Sequence, residues 1–193
     1  EEGADLIDVG GESSRPPVYG KAVEVTVEEE CDRVIPVIEG VRRFSQVPIS
    51  VDTTKAVVAR QALQAGADIV NDISAMQQDE GMARVVAASG APIILMHRRG
   101  TSATMQDNTH YDDLLGDIER FLQERIASAR EAGVAPERIA IDPGLGFGKS
   151  IGGNLQIVRH LGRFIGLGYP VLLGASRKSF IWKTLEGTPA DGL

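Results

Sequence analysis

The clearest indication of the fold is the segment ISVDTTKAVVARQALQAGADIVND, residues 49–72. It contains two short apolar runs that each end in polar residues, and an amphipathic segment between them that ends at Gly66. A glycine in that place is a common C-cap of a helix, so the stretch predicts a strand, a helix and a second strand. Two parallel strands joined by a crossover helix are the repeating unit of an α/β fold.

The same alternation continues along the whole chain. Apolar runs that end in polar residues occupy six ranges, residues 6–12, 49–52, 69–72, 93–97, 139–142 and 171–178. Strands covered by helices on both faces form parallel sheets, and a barrel of such units carries its chemistry at the C-terminal ends of the strands. We therefore predict a (β/α)8 TIM barrel, of which this sequence covers about six of the eight βα units.

The helices and long loops can be placed from local signals. Thr26 and Glu29 have the spacing of a capping box at the start of the first helix, and Pro36 predicts a kink in its middle. Further helices are expected at residues 55–65, 81–89, 111–132, 155–167 and 178–185. The polar connections 13–25 and 98–110 are too long for simple turns, which fits either ligand-binding loops or disordered surface loops.

Composition limits the possible functions. The net charge of −7 and the 5% aromatic content argue against a nucleic-acid partner. The single cysteine, Cys31, cannot form an internal disulfide and is expected to be buried, which fits a cytoplasmic location. The sequence contains neither a signal peptide nor a run long enough to span a membrane. We expect residues 1–193 to be a single domain that is incomplete at both ends, because the chain starts without Met and holds too few βα units for a closed barrel.

Four polar residues at strand ends are the candidate site. Asp52, Asn71, Asp142 and Lys178 would meet around one mouth of a barrel, where two carboxylates and an amide suit the donor-rich edge of a heterocycle. Each residue alone has another interpretation: Asp52 or Asp72 caps the next helix, Asn71 binds backbone, or Lys178 is solvated in a first helical turn. Their shared position favours the site.

The segment PGLGFGKS, residues 143–150, looks at first like a phosphate-binding loop. The pattern requires glycine where Pro143 stands, so we exclude a nucleoside triphosphatase. The glycines instead suit a tight turn with positive φ, in which Phe147 offers an aromatic face. The three histidines lack the spacing of a zinc site. His97 is expected to have a hydrogen-bonded supporting role, and Met96 either lines the pocket of a planar ligand or fills core.

Taken in order, these motifs are similar to those of a known protein family. The segments that carry it are residues 8–16 (DVGGESSRP), 49–53 (ISVDT), 70–73 (VNDI), 96–97 (MH) with 105–106 (MQ), 142–149 (DPGLGFGK) and 174–180 (GASRKSF). Together they resemble the dihydropteroate synthase family, the pterin-binding enzymes of folate biosynthesis and the targets of sulfonamides. The resemblance implies a (β/α)8 barrel that joins 4-aminobenzoate to 7,8-dihydropterin-6-ylmethyl diphosphate, giving 7,8-dihydropteroate and pyrophosphate.

The resemblance also implies roles for individual residues. Asp142 would accept hydrogen bonds from the pterin 2-amino group and N3, with Asn71 and Asp52 nearby and Lys178 at the carbonyl side. Met96 would line the pterin pocket. The residues implied near 4-aminobenzoate are Ser14 and Arg15 on a closing loop, together with Phe147 and Ser179.

Some expectations concern parts that the sequence lacks. The family has Thr where this chain has Ser14, and Gly where it has Pro17 and Trp182. Its Mg²⁺-ligating Asn and its diphosphate-binding Arg and His belong to first and last strands that the motifs here do not include. We therefore expect a Mg²⁺ cofactor and a homodimer only in the full-length protein, and an inactive 193-residue segment with open sheet edges. The alternatives are a methyltetrahydrofolate-dependent methyltransferase domain, whose family lacks the 12–16 and 176–179 motifs, and a non-catalytic pterin-binding relative.

Overall fold

The computed structural model describes residues 3–14, 25–101 and 104–185 of the chain. Within these ranges, five strands form one parallel sheet in the order β1-β2-β3-β4-β5. They are β1 (Ile7–Gly10), β2 (Ile49–Asp52), β3 (Ile69–Asp72), β4 (Ile93–Met96) and β5 (Ile139–Asp142). Consecutive strands lie side by side, which confirms the predicted succession of parallel βα units.

The helices of the described ranges connect these strands or follow the last one. They are α1 (Val27–Arg42), α2 (Ala56–Ala65), α3 (Met82–Ser89), α4 (Leu114–Glu131), α5 (Ile151–Arg159), α6 (Leu161–Ile165) and α7 (Ser179–Thr184). The capping box of α1 is confirmed, because the Thr26 hydroxyl accepts from the Glu29 N–H and the Glu29 carboxylate accepts from the Thr26 N–H, both at 3.2 Å. Gly66 and Gly90 end α2 and α3 in the left-handed conformation, as predicted. Pro36 lies inside α1 without ending it.

The two faces of the sheet differ in character. One face is apolar and lies beneath the helices, where its side chains belong to the main hydrophobic core; its fully buried members are Ile49, Val51, Val70, Ile93, Leu95, Ile139 and Ile141. Successive strand residues point to opposite sides, so the opposite face carries the polar side chains of Asp8, Ser50, Asp52, Asn71 and Asp142 together with some apolar ones. The helices therefore cover one side of the sheet and leave the other side for the site.

Two predicted elements differ from the structure. The sixth apolar run, residues 171–178, forms a single parallel bridge from Val171 to Ile141 in place of a strand. Beyond it the chain turns locally, since the Ala175 N–H donates to the Leu173 carbonyl at 3.0 Å. The expected helix 155–167 is wrong at its start and in its middle: Ser150 caps α5 by accepting from the Gly153 N–H, and the chain breaks at His160 before α6 begins.

Inspection of the helices within the described ranges reveals none with the length and apolar character needed to cross a membrane. The other structural expectation from composition is confirmed: Cys31 is buried in α1.

Candidate active site

The sheet register brings the predicted polar residues to one edge. Asp52 at the end of β2 pairs with Asn71 of β3, and Asp142 at the end of β5 pairs with Met96 of β4. Paired residues of neighbouring parallel strands point to the same side, so these four side chains share the polar face. The alternative that Asp52 or Asp72 caps the next helix is wrong, because the N-cap residues of α2 and α3 are Lys55 and Gly81, and the carboxylate that accepts from the first N–H of α2 belongs to Asp79.

Asp8 joins this group although the sequence motifs assigned it no role. One of its carboxylate oxygens, Oδ1, accepts from the Ser50 hydroxyl at 2.5 Å and from the Asn71 amide at 3.5 Å. Asp8 pairs with Ser50 in the sheet, two residues before the pair of Gly10 and Asp52, so it faces the same side. The two-residue alternation of β1 was the signal that could have found it. Its contact with Asn71 favours the amide orientation in which the Asn71 oxygen is turned away from β1.

Asp52 lies in an unfavourable environment for a charge. It is partly buried at the end of β2. Burial first, and then the nearby Asp8 carboxylate, raises the pKa of Asp52 from 3.8 to about 7. The charge of Lys178 opposes this rise. Asp52 therefore changes charge near neutral pH, which is typical of a carboxylate that acts on a ligand.

Asp142 is more deeply buried and is held by the turn that follows it. It is 6% exposed, and its Oδ1 accepts from the Gly144 N–H at 2.6 Å. Burial raises the pKa of Asp142 to about 6, although the Gly144 N–H and the Lys149 and Lys178 ammonium groups lower it. The carboxylate is thus oriented, buried and mostly ionised at neutral pH.

The turn after β5, residues 143–148, depends on its glycines. Gly144, Gly146 and Gly148 all have positive φ, at 73°, 81° and 70°, which confirms the predicted use of these residues. The peptide groups of Gly146 are held from two sides, because its N–H donates to Asn154 at 2.7 Å and its carbonyl accepts from Gln106 at 2.9 Å. Hydrogen bonds from two other segments therefore fix the conformation of this turn.

An apolar patch lies beside the carboxylates. It comprises Ile73, Met96, Met105 and Phe147, all buried and separate from the main core. The Lys178 ammonium stands over the Phe147 ring, 4.3 Å from its centroid. Lys178 is half-buried at the N-cap position of α7, so the alternative of a solvated first-turn residue is wrong. A flat ligand edge that meets the carboxylates would have this patch against its face.

The remaining predicted residues are placed less completely. Ser14 is half-buried at the end of the described part of the loop after β1, and Arg15 lies outside the described residues. Ser179 is exposed and begins α7 next to Lys178. Their roles toward a ligand stay predictions.

Two buried groups support the site from behind. His97 contacts the Lys149 ammonium through Nδ1 at 2.9 Å and packs against Phe121 edge to face, with ring centroids 4.8 Å apart, in agreement with the expected supporting role. Asp72 points to the helix side, where it accepts from the Ser74 N–H and hydroxyl, both at 2.7 Å, and from the Met76 N–H at 2.8 Å. It shapes the turn after β3.

A metal site was not expected from this sequence. Across residues 3–14, 25–101 and 104–185, no group of three His, Cys, Asp or Glu side chains comes close enough to hold a metal ion. The described carboxylates at the sheet edge are spread over separate strands and are suited to hydrogen-bond donors.

Fold and site together define an α/β protein of parallel βα units with carboxylates and an apolar patch at the C-terminal edge of the sheet, which is where proteins of this architecture carry their active sites. The family model for pterin-binding enzymes matches residues 1–192. The chain belongs to the pterin-binding enzyme family.

Individual relatives agree with this assignment. The dihydropteroate synthase of Synechocystis sp. is 49% identical over 184 residues, which are 95% of this chain and 62% of the relative. A Yersinia pestis dihydropteroate synthase structure with a sulfonamide drug complex has a TM-score of 0.92 and 42% identity, covering 98% of this chain and 66% of that chain. A Xanthomonas albilineans dihydropteroate synthase with 4-aminobenzoic acid has a TM-score of 0.89 and 46% identity, covering 98% and 65%. The chain thus spans less than two thirds of the length of these relatives.

Proposed function

We propose that this protein is a dihydropteroate synthase, which condenses 4-aminobenzoate with 7,8-dihydropterin-6-ylmethyl diphosphate and releases pyrophosphate. The observation that carries the proposal is the placement of Asp52, Asn71 and Asp142 on one face of the sheet, beside the apolar patch and Lys178. A relative with this name shares 49% identity with the chain, and one solved relative contains 4-aminobenzoic acid.

Recognition of the pterin would use the polar edge. The 2-amino group and N3–H of the ring are adjacent donors, and an ionised carboxylate accepts two such bonds. Asp142 suits this role because the Gly144 N–H already orients it through Oδ1. Asn71, held by Asp8, would meet the adjacent edge of the ring, and Asp52 would lie near the ring nitrogens.

The carboxylates would also assist the chemistry. We propose that the carbon–oxygen bond to the diphosphate breaks before the amine attacks, which leaves positive charge spread over the pterin. Preorganised negative groups at the rim of that ring lower the energy of the charged state. Asp52 and Asp142 are such groups, and Lys178 lies close enough to both to lower their pKa values. The Lys178 ammonium would meet the pterin carbonyl side.

The second substrate would enter beside the apolar patch. Phe147 and Ser179 flank Lys178 on either side, one through its ring and one along the chain. Ser14 and Arg15 would close over 4-aminobenzoate from the loop after β1 and exclude water from the reactive cation.

Further parts of the proposal concern the full-length protein. The described residues do not themselves form a Mg²⁺ site, so no step here passes through a metal, and the Mg²⁺ that would accompany the diphosphate is proposed to depend on residues beyond those described. We also propose a homodimer, a cytoplasmic location and a single barrel domain that includes residues 1–193. Sedimentation of the full-length protein tests the dimer.

The proposal is tested by pyrophosphate release in the full-length protein. Release should require both substrates, and Asp142→Asn should lower kcat/KM at least about 100-fold, because one carboxylate that both binds and stabilises charge is lost. The matched control is Asp112→Asn, a fully exposed aspartate that should leave kcat/KM within about twofold of wild type.

Other outcomes identify the alternatives. Pterin binding without pyrophosphate release would contradict the synthase and favour a non-catalytic relative. Methyl transfer from methyltetrahydrofolate would place the chain with the methyltransferases.

A further inference from the structure

Lys149 is buried in a place where a lysine is costly. It is 3% exposed, yet it sits directly behind the candidate site. Its ammonium contacts three groups: His97 Nδ1 at 2.9 Å, the His97 carbonyl at 3.2 Å and the Phe147 carbonyl at 2.9 Å. Burial lowers the pKa of Lys149 to about 7, although the Asp142 charge raises it, and three acceptors here replace the water that a buried amine loses.

The acceptors come from two separate segments. His97 follows β4, and Phe147 belongs to the turn 143–148 after β5. Burial first, and then the Lys149 charge, lowers the pKa of His97 far below its ordinary value, so the ring is neutral and its Nδ1 can accept. Lys149 therefore joins the end of β4 to the turn by hydrogen bonds on both sides.

The two segments are in unusually close backbone contact at this place. A Cβ on Gly144 would lie 1.9 Å from the His97 carbonyl oxygen, and a Cβ on Gly148 would lie 2.9 Å from the Arg99 carbonyl oxygen. The glycines permit this approach, but they supply no attractive group of their own. The Lys149 ammonium supplies the attraction between carbonyl groups that would otherwise repel each other.

The turn carries the groups that would meet the ligand. The Phe147 ring forms part of the apolar patch and stands under the Lys178 ammonium at 4.3 Å. Asp142 immediately precedes the turn, and its backbone carbonyl accepts from the His97 N–H at 2.9 Å. A shift of the turn would therefore move Phe147 relative to the Lys178 ammonium at the start of α7 and relative to a strand end that stays in the sheet.

We propose that Lys149 is a positioning residue, which ties the turn 143–148 to the end of β4 and thereby sets where Phe147 and Lys178 meet the second substrate. The inference rests on the proposed function of the site, because that function supplies the substrate. Lys149 itself is buried behind the turn and does not contact the ligand.

The first experiment needs no substrate. In the full-length protein, Lys149→Met should increase amide hydrogen exchange in residues 143–149 at least about tenfold, while peptides from β2 and β3 keep the wild-type rate. The matched control, Lys183→Met, removes an exposed ammonium of α7 and should change neither region. Unchanged exchange in 143–149 would overturn the proposal, and so would a uniform increase across the sheet.

The second experiment separates positioning from loss of folded protein. Lys149→Met should raise the KM for 4-aminobenzoate at least about tenfold, whereas a merely smaller folded fraction would lower the apparent kcat and leave KM unchanged. Lys149→Arg keeps a charged donor and should recover at least part of the KM effect. An unchanged KM in Lys149→Met would overturn the proposal.

The role of Lys149 can still be tested if Lys149→Met does not fold or if the wild-type protein is inactive. If Lys149→Met does not fold, Lys149→Gln, which keeps an N–H donor of shorter reach, is measured in both experiments with the same expectations. If the wild-type protein releases no pyrophosphate, the proposed function fails, and the exchange experiment still decides whether Lys149 holds the turn.

Discussion

At the scale of single residues, the buried charge of Asp52 destabilises the folded protein at neutral and higher pH. Its pKa is raised from 3.8 to about 7, first by burial and then by Asp8. Between about pH 4 and pH 7 the folded protein therefore holds a proton that the unfolded chain has released. The contribution of this proton to the free energy of unfolding is fully present below the unfolded pKa of 3.8 and is lost as the pH rises through the folded pKa of about 7.

Asp52→Asn should consequently stabilise the full-length protein at pH 8. The amide cannot ionise, so it escapes the cost of a buried charge; with allowance for partial exposure, we expect a gain of about 2 kcal/mol at pH 8 that shrinks toward zero near pH 4. Thermal unfolding from pH 4 to 8 measures it, with Asp112→Asn as control. A gain that does not depend on pH would contradict the assigned pKa.

Gly144 and Gly152 form a matched pair for the turn after β5. Gly144→Ala should destabilise the protein by at least about 3 kcal/mol, because the new Cβ would clash with the His97 carbonyl and φ is +73°. Gly152→Ala has open space within α5 and should be neutral or stabilising by up to about 1 kcal/mol. Urea unfolding compares them, and similar losses in both variants would show that the turn is looser than the structure indicates.

At the scale of elements, one lysine forms ion pairs with two glutamates and thereby joins α1, α2 and the loop after β1. Lys55, the N-cap residue of α2, contacts Glu30 of α1 and Glu12, each at 2.5 Å. Glu30 is 1% exposed, and Lys55 is a cation in direct contact with its carboxylate. The cluster thus holds the first residues of the loop that leads to Ser14.

Lys55→Met should destabilise the protein by about 3–5 kcal/mol, since it leaves the Glu30 carboxylate buried without its cation. The double variant Lys55→Met/Glu30→Met should recover most of that loss, because no fully buried charge remains without a partner and the Glu12 carboxylate, 36% exposed, is reached by water. Arg120→Met, which removes a cation from a surface pair with Asp117, is the control and should cost less than about 1 kcal/mol. Urea unfolding measures all three, and a double variant as unstable as the single one would argue against the ion-pair explanation.

The elements also show which parts of the fold were predictable. The start of α1 and the ends of α2 and α3 were correct, because capping depends on residues within one turn of the helix. The sixth strand was wrong, because an apolar run becomes a strand only where a partner pairs along its length, and Val171 makes a single bridge. The break at His160 had no strong local signal.

At the scale of the whole molecule, the described sheet is open. β1 and β5 are its terminal strands, and only one bridge continues beyond β5 in the described residues. Exposed strand edges invite pairing between molecules. The chain also covers only 62–66% of its similar relatives.

Residues 1–193 expressed alone should therefore self-associate and release no pyrophosphate, whereas the full-length protein should remain a defined species and be active. Light scattering coupled to size exclusion, together with the pyrophosphate assay, measures both properties. A monomeric segment with a cooperative melt and wild-type-like release would contradict this expectation.

The order of parallel βα units and the polar residues at the strand ends could be predicted from the sequence, because periodicity and capping depend on neighbouring residues. Asp52, Asn71 and Asp142 could be named on that basis, whereas Lys178 follows a run that forms only one bridge and lies at the N-cap of α7. Only the tertiary structure decided that Asp8 holds Asn71, 63 positions later, and that Lys149 reaches back 52 positions to His97. Burial and charge pairing arise where distant segments pack, and a local pattern does not contain that information.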